Sequence, residues 1–266
     1  EEGRLGVIFT PEHGLRGTAE AGEHVGSGRL AGVPVVSLYG ERRAPEPSEL
    51  EGIDLLVIDL QDVGARYYTY IASMLECLRV AGRTRTRVLI LDRPNPIGGV
   101  VMEGPVAADT GSFVCCAPIP VRHALTMGEL ALFFARHVVT GRRPRVDAAR
   151  LDGWTPGLHF DACSLPWVPP LPNMPTPETA LAYVGACLFE GTNLNEGRGT
   201  ETPFLVFGAP WLDADGLADD IPAQARPGMA LEPVTYTPRS MPGKASTPRY
   251  QDEACRGLRL RIHPPV

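Results

Sequence analysis

A chain of 266 residues with 44% hydrophobic content is long enough to bury a substantial core, as one large domain or two smaller ones. Its net charge of -6 and pI near 5.6 come without runs of one sign, so it carries no electrostatic footprint for nucleic acid. No apolar stretch reaches the roughly 18 to 20 residues that cross a bilayer, no signal-peptide pattern opens the chain, and six cysteines without paired spacing read as free thiols.

In chain order, four short apolar runs stand out: residues 5–9 (LGVIF), 33–38 (VPVVSL), 55–60 (LLVIDL) and 88–91 (VLIL). Each is nearly continuous and rich in Val, Ile and Leu, the pattern of strands buried on both faces of a parallel sheet. Residues 65–80 carry Tyr67, Ile71, Met74 and Leu78 at helical spacing, with Gly82 as a stop. Residues 126–138 form a second helix, opened by Thr126 and Glu129 as a capping box. This is an α/β layout.

Residues 12–33 read as an irregular excursion. They contain Gly26-Ser27-Gly28-Arg29-Leu30-Ala31, a formal match to the dinucleotide fingerprint that neither follows a strand directly nor opens a helix. The arginines at 83, 85 and 87 and those at 142, 143 and 145 are expected to be solvated loop charges. Six prolines between Pro166 and Pro177 forbid regular structure across residues 166–175, and a short helix follows with Pro177 in its first turn. A polar, glycine-rich loop spans residues 189–199, and the remainder reads as a smaller α+β unit with strand-like pieces such as residues 258–262.

In open parallel sheets ligands bind outside the carboxyl ends of the strands. The polar residues at or just past the ends of the four runs are Glu12 and His13; Ser37 and Tyr39; Asp59, Gln61, Asp62, Arg66 and Tyr67; and Asp92, Arg93 and Asn95. Asp92 and Asn95 also suit plain turn and cap chemistry. Glu12, placed before His-Gly, is neither a favoured cap nor a favoured turn residue. Glu103, Glu190 and Glu196 add acids on other loops. Several carboxylates facing one crevice are what glycoside hydrolysis needs: one protonated to serve the leaving oxygen, a second to meet the oxocarbenium-like centre or activate water. Tyr67, Trp167, Asn173 and Asn193 would suit the faces and hydroxyls of a sugar.

Eight ordered segments, TPEHGLRG, GVPVVSLYG, DLQDVGARYYTYIASM, LDRPNPIGG, EGP, PVRHALTMGEL, PNMPTPETAL and LFEGTNLNEGRGTETPF, closely resemble the bacterial exo-β-N-acetylmuramidase family. The resemblance implies a Rossmann-like α/β domain over residues 1–165, a smaller α+β domain over 166–266, and an active-site cleft between them. It implies removal of terminal N-acetylmuramic acid from peptidoglycan fragments, with Glu12 as the catalytic acid. That role requires a pKa raised by a partly desolvated pocket, and no cofactor or metal is expected. Asp62 and Glu196 are the candidates for the second catalytic group. The substrate-binding candidates are His13, Arg66, Tyr67, Asp92, Asn95, Glu103, Arg122, His123, Asn173, Glu190, Asn193 and Arg198. Among these, Arg66, Arg122 and Arg198 are the forks for the lactyl carboxylate. Family members usually carry another strand and helix before the Glu-His-Gly strand and a further segment beyond Val266, so the chain is expected to lack both. Such a substrate favours an extracytoplasmic setting, and nothing in the sequence sets an oligomeric state.

Two rival classes are separable by experiment. A non-catalytic glycan-binding protein would share the crevice without releasing muramic acid. A metal-dependent hydrolase could draw on Glu12, His13, His24 and Asp62, but no HExxH or comparable spacing is present, and its activity would fall on chelation.

Overall fold

The computed structural model describes residues 3–263 apart from Arg16, Thr18, Ala21, His24 and Val25; the candidate ligand His24 therefore lies outside the described residues. The chain divides into two compact units, Glu1–Pro166 and Trp167–Val266.

The first unit opens with β1 (Ile8–Thr10), β2 (Gly28–Leu30) and β3 (Val33–Ser37). β1 and β3 run parallel, with Phe9 opposite Val36. β2 pairs antiparallel to β3, so the glycines of the fingerprint match lead into a strand and hold no helix N-terminus. A second sheet, β4 (Leu55–Ile58), β5 (Arg87–Leu91) and β6 (Arg145–Ala149), is parallel throughout. Its crossovers contain α1 (Tyr70–Thr84) and α2 (Met127–His137). Ile58, Val88 and Ile90 pack with Ile71, Met74, Leu75 and Leu78 of α1 and with Met127, Leu130 and Phe134 of α2 in one apolar cluster.

Three expectations change. Burial in β4 and β5 alternates instead of covering both faces, and Leu55, Val57 and Leu91 are exposed. Arg145 opens β6 and Arg87 opens β5, with charges turned outward while Val146 and Val88 turn inward; the one-sided pattern hid β6 from a search for continuous apolar runs. The first helix starts at Tyr70, because residues 65–68 pair with another loop instead: Ala65 bridges Arg122, Arg66 N donates to Val121 O (2.8 Å), and Tyr68 N turns back to Ala65 O (3.0 Å). α1 then runs through Gly82 and closes on Arg85, whose φ of 65° supplies the left-handed turn.

In the second unit the proline run carries no helix or strand. α3 (Pro177–Ala186) begins with Pro177 in its first turn and Thr176 accepting from Thr179 N. β7 (Val206–Ala209), α4 (Ala214–Asp220), β8 (Met229–Tyr236) and β9 (Cys255–Ile262) follow, and the strands form an antiparallel sheet in the order β7-β9-β8. Gly208 sits opposite Gly257, and a Cβ on Gly257 would strike the Phe207 carbonyl, so these two glycines allow β7 and β9 to close. A mixed α/β unit with parallel strands thus precedes a smaller unit built on an antiparallel sheet.

Candidate active site

β1 ends at Thr10, and Pro11 stops the ladder. Residues 11–14 form a turn closed by Gly14 N to Pro11 O (3.2 Å), with His13 at φ 70° and Gly14 at φ 71°. A positive φ at a histidine is a strained choice. Here the His13 ring is anchored by an Nδ1 bond to Ala19 O (2.8 Å) and lies 6.3 Å from the Tyr70 ring. The turn leaves Glu12 only 8% exposed.

Two groups hold that carboxyl. Gly22 N donates to Oε1 (3.0 Å) and the Thr69 hydroxyl donates to Oε2 (2.8 Å), while the Tyr39 phenol lies near enough to feel the Glu12 charge. Thr69 stands at the N-cap of α1 without capping it. The corresponding residues of α2, α3 and α4, Thr126, Thr176 and Asp213, each accept from a backbone N–H of their own helix. In α1 that capacity is directed across the fold to Glu12. The Tyr39 phenol is pushed up to about 12, first by burial and then by the nearby Glu12 carboxyl, so it keeps its proton at neutral pH. Tyr70 is also pushed up to about 12, chiefly by burial, with the Glu12 charge adding to the rise. A hydroxyl can donate to a carboxylate or accept from a carboxylic acid, whereas a backbone N–H only donates. The cluster therefore accommodates Glu12 in both protonation states, as acid chemistry requires.

A second buried group lies past β4. Asp62 Oδ2 accepts from Gly64 N (2.8 Å) and stands 3.1 Å from His123 Nε2. His123 Nδ1 accepts from Leu125 N (3.2 Å), which assigns the proton to Nε2. That N–H is poorly aligned on Asp62, so the pair is an electrostatic contact rather than a formed hydrogen bond. Asp62 Oδ1 is buried without a partner.

Other predicted residues of this unit are occupied by the scaffold. Arg122, 2% exposed, reaches Glu103 Oε2 (2.8 Å) and Ile97 O (2.7 Å). Arg66 donates to Pro105 O (2.7 Å) and Ile119 O (2.6 Å). Asp92 accepts from Thr126 Oγ1 and Gly128 N, both at 2.8 Å, and so holds the start of α2. Asn95 bonds Leu125 O (3.0 Å) and Ile97 N (3.1 Å), and Tyr67 is half-buried.

In the second unit Arg198 lies between two acids, Glu190 (2.8 Å) and Glu196 (2.9 Å), with its guanidinium 5.1 Å from the Phe204 ring centre. Burial alone would lower its pKa, but the two carboxylates outweigh that and raise it. Asn195 is fully buried and pins this loop through Arg198 O, Arg249 O, Gly197 N and the Tyr236 hydroxyl. Asn193 O accepts from the Tyr250 hydroxyl (2.8 Å), and Asn173 bonds Lys244 O (2.7 Å).

The structure thus joins Asp62 to His123, Glu103 to Arg122, and Glu190 and Glu196 through Arg198. Asp92, Asn95, Asn173 and Asn193 each serve their own local framework. Thr69, Tyr39, Asn195 and Tyr236 were absent from the predicted set. Tyr39 was visible at a strand end, whereas a threonine before a helix reads as an ordinary cap.

Fold and site define a two-unit α/β protein that presents a buried, hydroxyl-bound glutamate past the carboxyl end of a parallel strand. The chain belongs to the NamZ exo-β-N-acetylmuramidase family: the model of that family's N-terminal part matches residues 1–178 and the model of its C-terminal part residues 181–265. It is 39% identical over 262 residues to the peptidoglycan β-N-acetylmuramidase NamZ of Bacillus subtilis strain 168, covering 97% of this chain and 61% of that relative. Crystal structures of two DUF1343 family proteins from Bacteroides fragilis NCTC 9343 are similar, both at 32% identity. One has a TM-score of 0.87 over 97% of this chain and 65% of the other; the second has 0.74 over 98% and 64%. The chain therefore spans just under two thirds of the length of these relatives.

Proposed function

We propose that this chain is a glycoside hydrolase that removes β-N-acetylmuramic acid from the non-reducing end of peptidoglycan fragments, with Glu12 giving the proton to the leaving oxygen. The observation that carries this reading is the buried Glu12 carboxyl, held by the reversible Thr69 hydroxyl and one backbone donor. The peptidoglycan β-N-acetylmuramidase activity of the Bacillus subtilis relative supplies the substrate class. The reaction needs a second group at the anomeric centre. Asp62 and Glu196 are its candidates, and azide rescue of Asp62→Ala compared with that of Glu196→Ala assigns the role.

The test is hydrolysis of a chromogenic β-N-acetylmuramide. The wild-type chain releases the chromophore, and Glu12→Gln, which keeps the shape and removes the acid, lowers kcat by about 10²- to 10⁴-fold. Release by the variant at the wild-type rate would sink the assignment of Glu12, and no release by the wild-type chain would sink the hydrolase reading. A glycan-binding protein would bind the muramide and leave it intact.

A further inference from the structure

A muramic sugar differs from its glucosamine parent by a lactyl ether that ends in a carboxylate. Bound at a partly buried site, that carboxylate needs a cation to offset its charge. The arginines that the sequence offered for this task are engaged elsewhere: Arg66 by two backbone carbonyls, Arg122 by Glu103 and Ile97 O, and Arg198 by two carboxylates.

A different arginine fits the requirement. The loop after β3 carries Tyr39 and, four residues later, Arg43. Its neighbour Arg42 is tied to Glu49 (2.8 Å), which anchors the loop to the short helix Pro47–Leu50. Arg43 is exposed, and its guanidinium lies 4.5 Å from the centre of the Phe113 ring. Phe113 is itself packed against the core of the unit. Among the described residues the Arg43 guanidinium has no ion pair or hydrogen bond, so its planar fork is oriented by the ring and still has its donors available. Thr10 lies opposite Ser37 and Leu38 N donates to Thr10 O (2.8 Å), so the loop after β3 leaves the sheet beside the turn that carries Glu12.

From this geometry, and resting on the muramidase reading above, we infer that Arg43 is a specificity-determining residue that receives the lactyl carboxylate of the substrate while Phe113 holds its guanidinium in place. The interaction is a charge-assisted bond to a planar fork, so it separates muramyl from glucosaminyl sugars without entering the bond-breaking step. Arg43 is exposed and not part of the core, so its replacement tests recognition rather than folding.

The experiment is calorimetric titration of the wild-type chain, Arg43→Gln and Arg43→Lys with N-acetylmuramic acid and, separately, with its lactyl methyl ester. The expected result is that Arg43→Gln weakens the free acid by about tenfold, Arg43→Lys weakens it less, and the ester binds all three proteins alike. An equal loss for acid and ester, no loss for either, or a wild-type chain that does not prefer the acid would overturn the assignment. Turnover of the chromogenic muramide is scored separately. Its absence defeats the hydrolase reading, while the acid-to-ester comparison decides the role of Arg43 whether or not the chain hydrolyses its ligand.

Discussion

At the scale of single residues, Glu12 and Thr69 divide one task. Glu12 arrives on a turn strained at His13, with Gly14 N on Pro11 O and His13 Nδ1 on Ala19 O among the bonds that fix it. The Thr69 hydroxyl ties the Glu12 carboxyl to the start of α1, 57 positions along the chain. Because Thr69 makes no side-chain cap, replacing it removes the bond to Glu12 without uncapping the helix. Thr69→Val is therefore expected to lower kcat on the chromogenic muramide by about ten- to a hundredfold through a misaligned acid, with KM little changed. Thr69→Ser, which restores a hydroxyl, should recover most of the rate. A valine variant with wild-type kcat, or a serine variant as impaired as the valine one, would show that Thr69 does not position the acid. Glu12 was legible in the sequence because an acid before His-Gly at the end of an apolar run has no cheap structural use. Thr69 was not, because its partner is distant in sequence and a cap looks identical until the fold is built.

At the scale of elements, α1 sets the geometry of the site, since its first residues follow the loop that bears Asp62 and its N-cap holds Glu12. Its far end is fixed by an unusually close contact. A Cβ on Gly82 would collide with the Arg142 carbonyl oxygen in the loop before β6. Helix propensity alone predicts a gain of about 1 kcal/mol from glycine to alanine. The collision with backbone reverses the sign, and Gly82→Ala should destabilise the protein by about 1–3 kcal/mol in urea unfolding. A stabilised variant would mean that the loop yields freely. The sequence alone marked Gly82 as a helix stop, and the structure shows a packing glycine inside the helix. The same contrast runs through the other elements. The capping box at Thr126 and Glu129 and the proline at the start of α3 were legible because they are local chemistry. The start of α1 and the existence of β6 were not. The first depends on the pairing of residues 65–66 with 121–122, and the second on a strand that keeps only one apolar face.

At the scale of the whole molecule, the protonation of buried groups shapes stability against pH. In the first unit, burial pushes the thiols of Cys77 and Cys116 from 9.0 up to about 12, and the phenols of Tyr39 and Tyr70 from 10.0 to about 12. In the second unit, Cys187 rises to about 12 and Cys255 to about 11, both chiefly through burial. Each group keeps its proton longer in the folded chain than in the unfolded one. The stability it contributes is complete below its unfolded pKa, declines as pH rises above that value, and is gone beyond the folded pKa. For this set the window opens near pH 9 and closes near pH 12. The urea midpoint, followed by far-UV circular dichroism with a reductant present, should therefore hold steady from about pH 7 to 8.5 and fall across the window. Cys77 is buried in the first unit's core, so Cys77→Ala should make that fall shallower, even though the smaller side chain lowers the midpoint at neutral pH through lost packing. A midpoint that stays flat to pH 11, or a Cys77→Ala profile parallel to that of the wild-type chain, would show that these thiols and phenols ionise in place without opposing the fold.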